Sequence, residues 1–146
     1  HRDVKPSNLL VCRQSGREVV KLADFGLARA YEASSFSGLT LTGAAGGTPQ
    51  FMPPEQVLDM RSAQPAADQY AAAATLYRLL AGTYPYPKQD KLERMFRQIL
   101  ESDPQPLSVH LPGVPAPLAA AIHRALHRDP KARFPDVTQF AKALQP

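Results

Sequence analysis

Two short polar motifs, separated by a pair of β-prone runs, constrain this chain more than any other feature. The chain opens on His1-Arg2-Asp3-Val4-Lys5-Pro6-Ser7-Asn8, and Asp24-Phe25-Gly26 follows twenty-one residues after Asp3. Between them lie Leu9-Leu10-Val11-Cys12, the polar stretch Arg13-Gln14-Ser15-Gly16-Arg17, and Val19-Val20-Lys21-Leu22-Ala23. Two apolar runs joined by a Gly-containing loop read as a hairpin. A hairpin returns the chain to its starting edge, so Asn8 and Asp24 are expected at neighbouring ends. The residue types there suit phosphate chemistry. A carboxylate at Asp3 can orient a hydroxyl and accept its proton. Lys5 can reach a transferring phosphate and offset its developing charge. Asn8 and Asp24 supply the hard oxygen ligands that magnesium prefers. Pro6 stiffens the first motif, and Gly26 permits the backbone to leave the second run.

The rest of the chain changes character twice. Residues Glu32 to Gly47 are rich in Ser, Thr, Gly and Ala and read as a long loop, a kind that is usually functional or disordered in a compact domain. After Pro54 come helices punctuated by prolines. Short helical character is expected over Pro54 to Asp59. Ala66 to Ala81 is apolar nearly all round and ends at Gly82, which marks a buried central helix. Lys88 to Glu101 is amphipathic through Leu92, Met95, Phe96, Ile99 and Leu100. An irregular connection through Pro104, Pro106, Pro112 and Pro115 follows. Two further helices are expected over Pro117 to His127 and Asp136 to Leu144. The fold class is therefore mainly α with one short β-hairpin.

Composition excludes several classes. A formal net charge of +4 is spread without a basic run, so no nucleic-acid stripe is indicated. The lone Cys12 can form neither an internal disulfide nor a cysteine zinc site, and its apolar neighbours suggest burial. No His/Cys cluster suggests zinc, and His110, His123 and His127 are expected at solvated or satisfied positions. No stretch approaches the ~18 apolar residues of a membrane span. A cytoplasmic setting is expected, with anchoring of a parent protein through other segments left open.

The first two motifs resemble the catalytic-loop and magnesium-binding motifs of the protein kinase family, and the likeness runs on along the chain. Gly47-Thr48-Pro49-Gln50-Phe51-Met52-Pro53-Pro54-Glu55 resembles the end of a kinase activation segment, with Pro53 where Ala is usual. Asp68 resembles the helix aspartate that anchors the catalytic loop. Tyr70 stands where many members carry Trp, and Ala73 where many carry Gly. Lys5 resembles the Ser/Thr class rather than tyrosine kinases, and the overall wording looks bacterial.

The resemblance implies roles by position. Asp3 is the base and Lys5 contacts the γ-phosphate of ATP. Asn8 and Asp24 bind Mg2+, and Leu10 lies under the adenine. Thr48 bonds the catalytic aspartate and lysine, while Phe51 and Met52 line the pocket for a protein Ser or Thr acceptor. Glu55 pairs with a buried arginine, for which Arg133 is the candidate. His1 joins an internal spine with Phe25. Arg2 receives a phosphorylated loop residue. The candidates for that residue are Ser34, Ser35, Ser37, Thr40 and Thr42, of which the last two have the favoured spacing before Thr48.

By the same resemblance the chain is a C-terminal lobe. Residues 1–55 form the catalytic loop and activation segment, and 56–146 a helical subdomain. The Gly-rich loop, strand lysine, helix glutamate and hinge of the N-terminal lobe are expected upstream, in a parent protein. The parent is expected to be a Ser/Thr kinase and the isolated piece inactive. A pseudokinase or scaffold that binds peptides or partners is the alternative, decided by whether that strand lysine and glutamate exist. A small-molecule phosphotransferase is disfavoured by the Pro53-Pro54-Glu55 segment.

Overall fold

A computed structural model describes residues 1–25, 49–59 and 64–145. Strands β1 (Leu9–Gln14) and β2 (Arg17–Leu22) pair antiparallel, with Leu9 opposite Leu22 and Gln14 opposite Arg17. Ser15 and Gly16 form the connection, both with positive φ (50° and 78°). Two consecutive left-handed residues match the right-handed twist of a tight hairpin, and glycine adopts that region at little cost. The strands extend further into the polar stretch than apolar content alone suggests, because backbone pairing continues to the turn.

Six α-helices follow among the described residues: α1 (Pro54–Leu58), α2 (Pro65–Ala81), α3 (Leu92–Glu101), α4 (Leu107–His110), α5 (Ala116–Ala125) and α6 (Val137–Ala143). Helix α2 is the axis of the core. Pro65 sits in its first turn, where a missing N–H costs nothing. Gly82 closes it in the left-handed region (φ 69°), donating its N–H to the Arg78 carbonyl at 3.0 Å. Ala67, Ala71, Ala73 and Ala74 are buried along it, and their small side chains let neighbouring elements approach closely. Tyr70 and Tyr77 then fill the larger gaps, with Met95, Ile99, Leu107, Ile122, Leu126 and Phe140 packed around them. Burial raises the Tyr70 phenol well above its ordinary 10.0, and its hydroxyl lies 3.4 Å from that of Tyr86.

Several expectations need correction. The amphipathic helix begins at Leu92, not Lys88: Lys88 to Lys91 offer no apolar face, Lys91 is extended, and Gln89 bonds back to Gln98 at 3.2 Å instead. The proline-rich connection contains a one-turn helix, α4, because Leu107 is wholly buried and Pro106 can open a helix. The last two helices are shorter than expected; Asp136 is the cap of α6 rather than its first turn, accepting from Gln139 N at 2.8 Å. Cys12 is only half-buried. Its thiol lies 3.5 Å from the Val19 carbonyl on the paired strand.

His123 is satisfied in a specific way. Its Nε2 accepts the Leu107 N–H at 2.9 Å, and burial lowers its pKa from the ordinary 6.5. The neutral ring is therefore the one the fold requires. Since the folded pKa lies below the unfolded one, the unfolded chain binds more protons between the two values. Stability is complete above about pH 6.5 and falls as pH drops through that window. Urea midpoints measured at pH 7.5 and 5.5 should show this loss, and His123→Gln, whose amide oxygen can accept the same N–H, should flatten it.

Candidate active site

The loop before β1 is held by side chains that reach it from two helices. Asp68, in the first turn of α2, accepts from the backbone nitrogens of Arg2 through Oδ1 and of His1 through Oδ2, both at 2.8 Å. Gln56 of α1 donates to the Arg2 carbonyl at 2.8 Å, and Thr75 of α2 to the Val4 carbonyl at 3.4 Å. Arg2 is thereby fixed at φ 70°. A non-glycine residue there costs about 1–3 kcal/mol, and persists where its surroundings over-determine it. Both peptide groups of Arg2 are tied down, which supplies that determination. Asp24 has the same left-handed backbone (φ 62°) at the far end of the hairpin.

This scaffold presents Asp3. Its Oδ2 lies 2.7 Å from Lys5 Nζ and accepts from Asn8 Nδ2 at 3.2 Å. Asn8 Nδ2 also donates to the Asp3 carbonyl at 2.8 Å. Asn8 is buried, and its Nδ2 makes both of these bonds to Asp3, so its Oδ1 is the atom that could serve a hard cation. Pro6–Asn8 form a single 3-10 turn closed by Asn8 N to Lys5 O at 3.0 Å, and that turn brings positions 3, 5 and 8 together. Ala23 N donates to the Asn8 carbonyl at 2.8 Å, so the residue before Asp24 is bonded directly to Asn8. His1 Nε2 donates to the Ala23 carbonyl at 2.9 Å while its Nδ1 accepts from Asp3 N at 3.3 Å, one consistent neutral tautomer. Its ring meets Phe25 edge-on at 4.7 Å.

The other candidates lie as follows. Glu55 and Arg133, 78 residues apart, form a two-pronged ion pair at 2.7 and 2.8 Å. The Arg133 side chain is fully buried, and its remaining N–H groups go to the carbonyls of Ala66, His127 and Arg128. Phe51 and Met52 are packed into the core, so they shape the segment from beneath and expose little surface. Leu10 is exposed, as are Val11, Val20 and Phe25. Gly26, Ser34, Ser35, Ser37, Thr40, Thr42 and Thr48 lie outside the described residues.

Sequence reasoning missed three supports. Gln56 and Thr75 hold the loop as described, and Gln69 exchanges two hydrogen bonds with the Phe134 backbone (3.0 and 3.1 Å), docking the Arg133 segment onto α2. Gln69 and Thr75 are polar interruptions in an apolar helix, a signal that was available. Gln56 carries no such signal.

Comparison with known proteins decides the family. The protein kinase domain pattern matches residues 1–144. The chain belongs to the protein kinase family. Curated relatives are bacterial Ser/Thr kinases. They include the serine/threonine-protein kinase Pkn1 of Myxococcus xanthus, 37% identical over 146 residues, covering 99% of this chain and 20% of the relative. PknL of Mycobacterium tuberculosis is 36% identical over 145 residues, covering 99% and 34%. PknK of Mycobacterium bovis is 41% identical over 134 residues, covering 91% and 11%. The chain thus spans between 11% and 34% of the length of these relatives.

Kinases of this family use ATP with magnesium and act on proteins. The residue types fit a hard cation: Asn8 offers an amide oxygen, and Asp24, next to the Ala23 whose N–H bonds the Asn8 carbonyl, offers a carboxylate. Two protein oxygens suit magnesium, which completes its shell with water and phosphate oxygens. Among the described residues no cluster of three or more His, Cys, Asp or Glu side chains offers a metal cage. No described helix is long and apolar enough to cross a membrane.

Proposed function

We propose that a protein carrying this chain is a Ser/Thr protein kinase that transfers the γ-phosphate of ATP to protein hydroxyls. The observation that carries this reading is the Asp3 carboxylate, held between Lys5 and Asn8 on a loop whose backbone is fixed by Asp68 and Gln56. Phosphoryl transfer depends mainly on positioning and preorganised charge, and this arrangement supplies both. Asp3 orients the acceptor hydroxyl and takes its proton. Lys5 sits beside it to meet the γ-phosphate. Asn8 and Asp24 hold magnesium, which when bound neutralises phosphate charge. The exposed apolar face of the hairpin, with Leu10, lies beneath the adenine and against the remainder of the kinase domain. Thr48 supports Asp3 and Lys5, and Phe51 and Met52 back the acceptor segment. Residues 1–55 act as catalytic loop and activation segment, and 56–146 as the helical subdomain that braces them.

The test is transfer from γ-labelled ATP to a generic protein substrate by the full-length protein. Label on Ser or Thr that disappears with excess chelator is expected; nucleotide binding without any transfer would favour a scaffold instead. Autophosphorylation is expected at Thr40 or Thr42, with Arg2 receiving the phosphate. Mass spectrometry after incubation with ATP checks it, and phosphate confined to other residues overturns it.

A further inference from the structure

Arg78 lies near the segment assigned above to the acceptor peptide, stacked on an aromatic ring and without a carboxylate partner among the described residues. Arg78 lies in the last turn of α2, ten residues beyond Asp68, which grips the catalytic loop. Its guanidinium carbon sits 4.8 Å from the centre of the Tyr84 ring. Tyr84 in turn meets Phe51 edge-on, with ring centroids 5.7 Å apart. Phe51 belongs to the 3-10 turn Pro49–Phe51, in the segment assigned above to the acceptor peptide.

Other arginines of the fold are committed differently. Arg133 is consumed by Glu55 and backbone carbonyls, Arg124 lies on Phe134 with bonds to two carbonyls, and Arg128 pairs with Asp103. Among the described residues no carboxylate lies within ion-pair distance of Arg78. A guanidinium stacked on an aromatic face is fixed in plane while its N–H edges stay available, the arrangement that best matches a carboxylate.

We propose that Arg78 is a specificity-determining residue, through which the site selects protein substrates carrying an acidic side chain near the acceptor Ser or Thr. The proposal rests on the kinase reading of the site. Ten residues of helix span about 15 Å, which an extended peptide covers in roughly five residues. Asp68 bonds the backbone next to Asp3, so about five residues on either side of the acceptor bracket the positions to be tested. The chain's net charge of +4 favours such substrates in the same direction.

The experiment uses the full-length protein and Ser-acceptor peptides in which Glu, Ala or Lys is placed in turn at each position up to five residues on either side. Both kcat/KM and Kd by fluorescence anisotropy are measured. Glu is expected to exceed Lys by about tenfold at one or two positions, as one charge-assisted bond provides. Arg78→Met, which keeps the stem over Tyr84, should abolish that discrimination, and Arg78→Glu should reverse it. Thermal unfolding of each variant identifies any that fails to fold, and Arg78→Lys, which keeps the charge, should retain part of the preference. Equal treatment of Glu and Lys by the wild type, or an unchanged preference in Arg78→Met, overturns the proposal. Charge-selective binding without phosphoryl transfer would sustain the proposal and sink the kinase reading. Transfer without charge preference would do the reverse, and absence of both binding and transfer would overturn both.

Discussion

Replacing Asp3 by Asn in a full-length protein carrying this chain is expected to lower kcat for phosphoryl transfer by about 10²–10⁴-fold, the range that a positioned general base contributes. Nucleotide affinity should change little. Asn has the shape of Asp and can still turn one oxygen toward Lys5 Nζ and Asn8 Nδ2, which bond the Asp3 carboxylate at 2.7 and 3.2 Å. The bonds from Asn8 Nδ2 to the Asp3 carbonyl and from Arg2 N to Asp68 Oδ1 do not involve the substituted group, so the loop keeps its course. What is lost is a carboxylate that can take a proton, together with the charge opposite Lys5. Steady-state kinetics beside a thermal melt separate these effects. A variant with an unchanged melting temperature and near wild-type kcat would remove Asp3 from the base role.

The second large effect concerns stability. Glu55→Ala is expected to cost about 3–5 kcal/mol, the range found when one partner of a buried ion pair is removed. Arg133 has no exposed side-chain surface, so its charge would be stranded among carbonyls and the Tyr70 ring, whose centre lies 5.0 Å from the guanidinium carbon. For a domain of this size the loss corresponds to roughly 10 °C or more in melting temperature. The double variant Glu55→Ala, Arg133→Met should recover part of it, because no unpaired charge then remains buried. Urea unfolding of the two single variants, Glu55→Ala and Arg133→Met, and of the double variant checks this. A double variant as unstable as the sum of the singles would show that the two residues act independently. The pair also joins the end of the acceptor segment to the Asp129–Phe134 region, so activity should fall alongside stability.

Much of this was legible in the order of residues. The hairpin follows from two apolar runs around Ser15-Gly16, because local turn chemistry and alternation need no distant partner. Helix α2 follows from an Ala- and Leu-rich stretch closed by Gly82, for the same reason. Asp3, Lys5, Asn8 and Asp24 were identifiable as a set because their chemistry requires those residue types at short spacing. Element ends were less legible: the start of α3 at Leu92 and the turn of α4 depend on which residues find apolar surface to cover, and that surface comes from other elements.

The sequence by itself determined the kind of domain and the chemical groups it carries, since motif order, periodicity and turn residues are local properties. Only the tertiary structure decided how those groups are held. The left-handed backbone at Arg2 exists because Asp68 and Gln56, 66 and 54 residues away, bond its two peptide groups. The posture of Arg78 depends on Tyr84 and Phe51 meeting across separate elements. Such contacts are long-range: their energy appears only when the core around α2 has closed, and no local pattern records it.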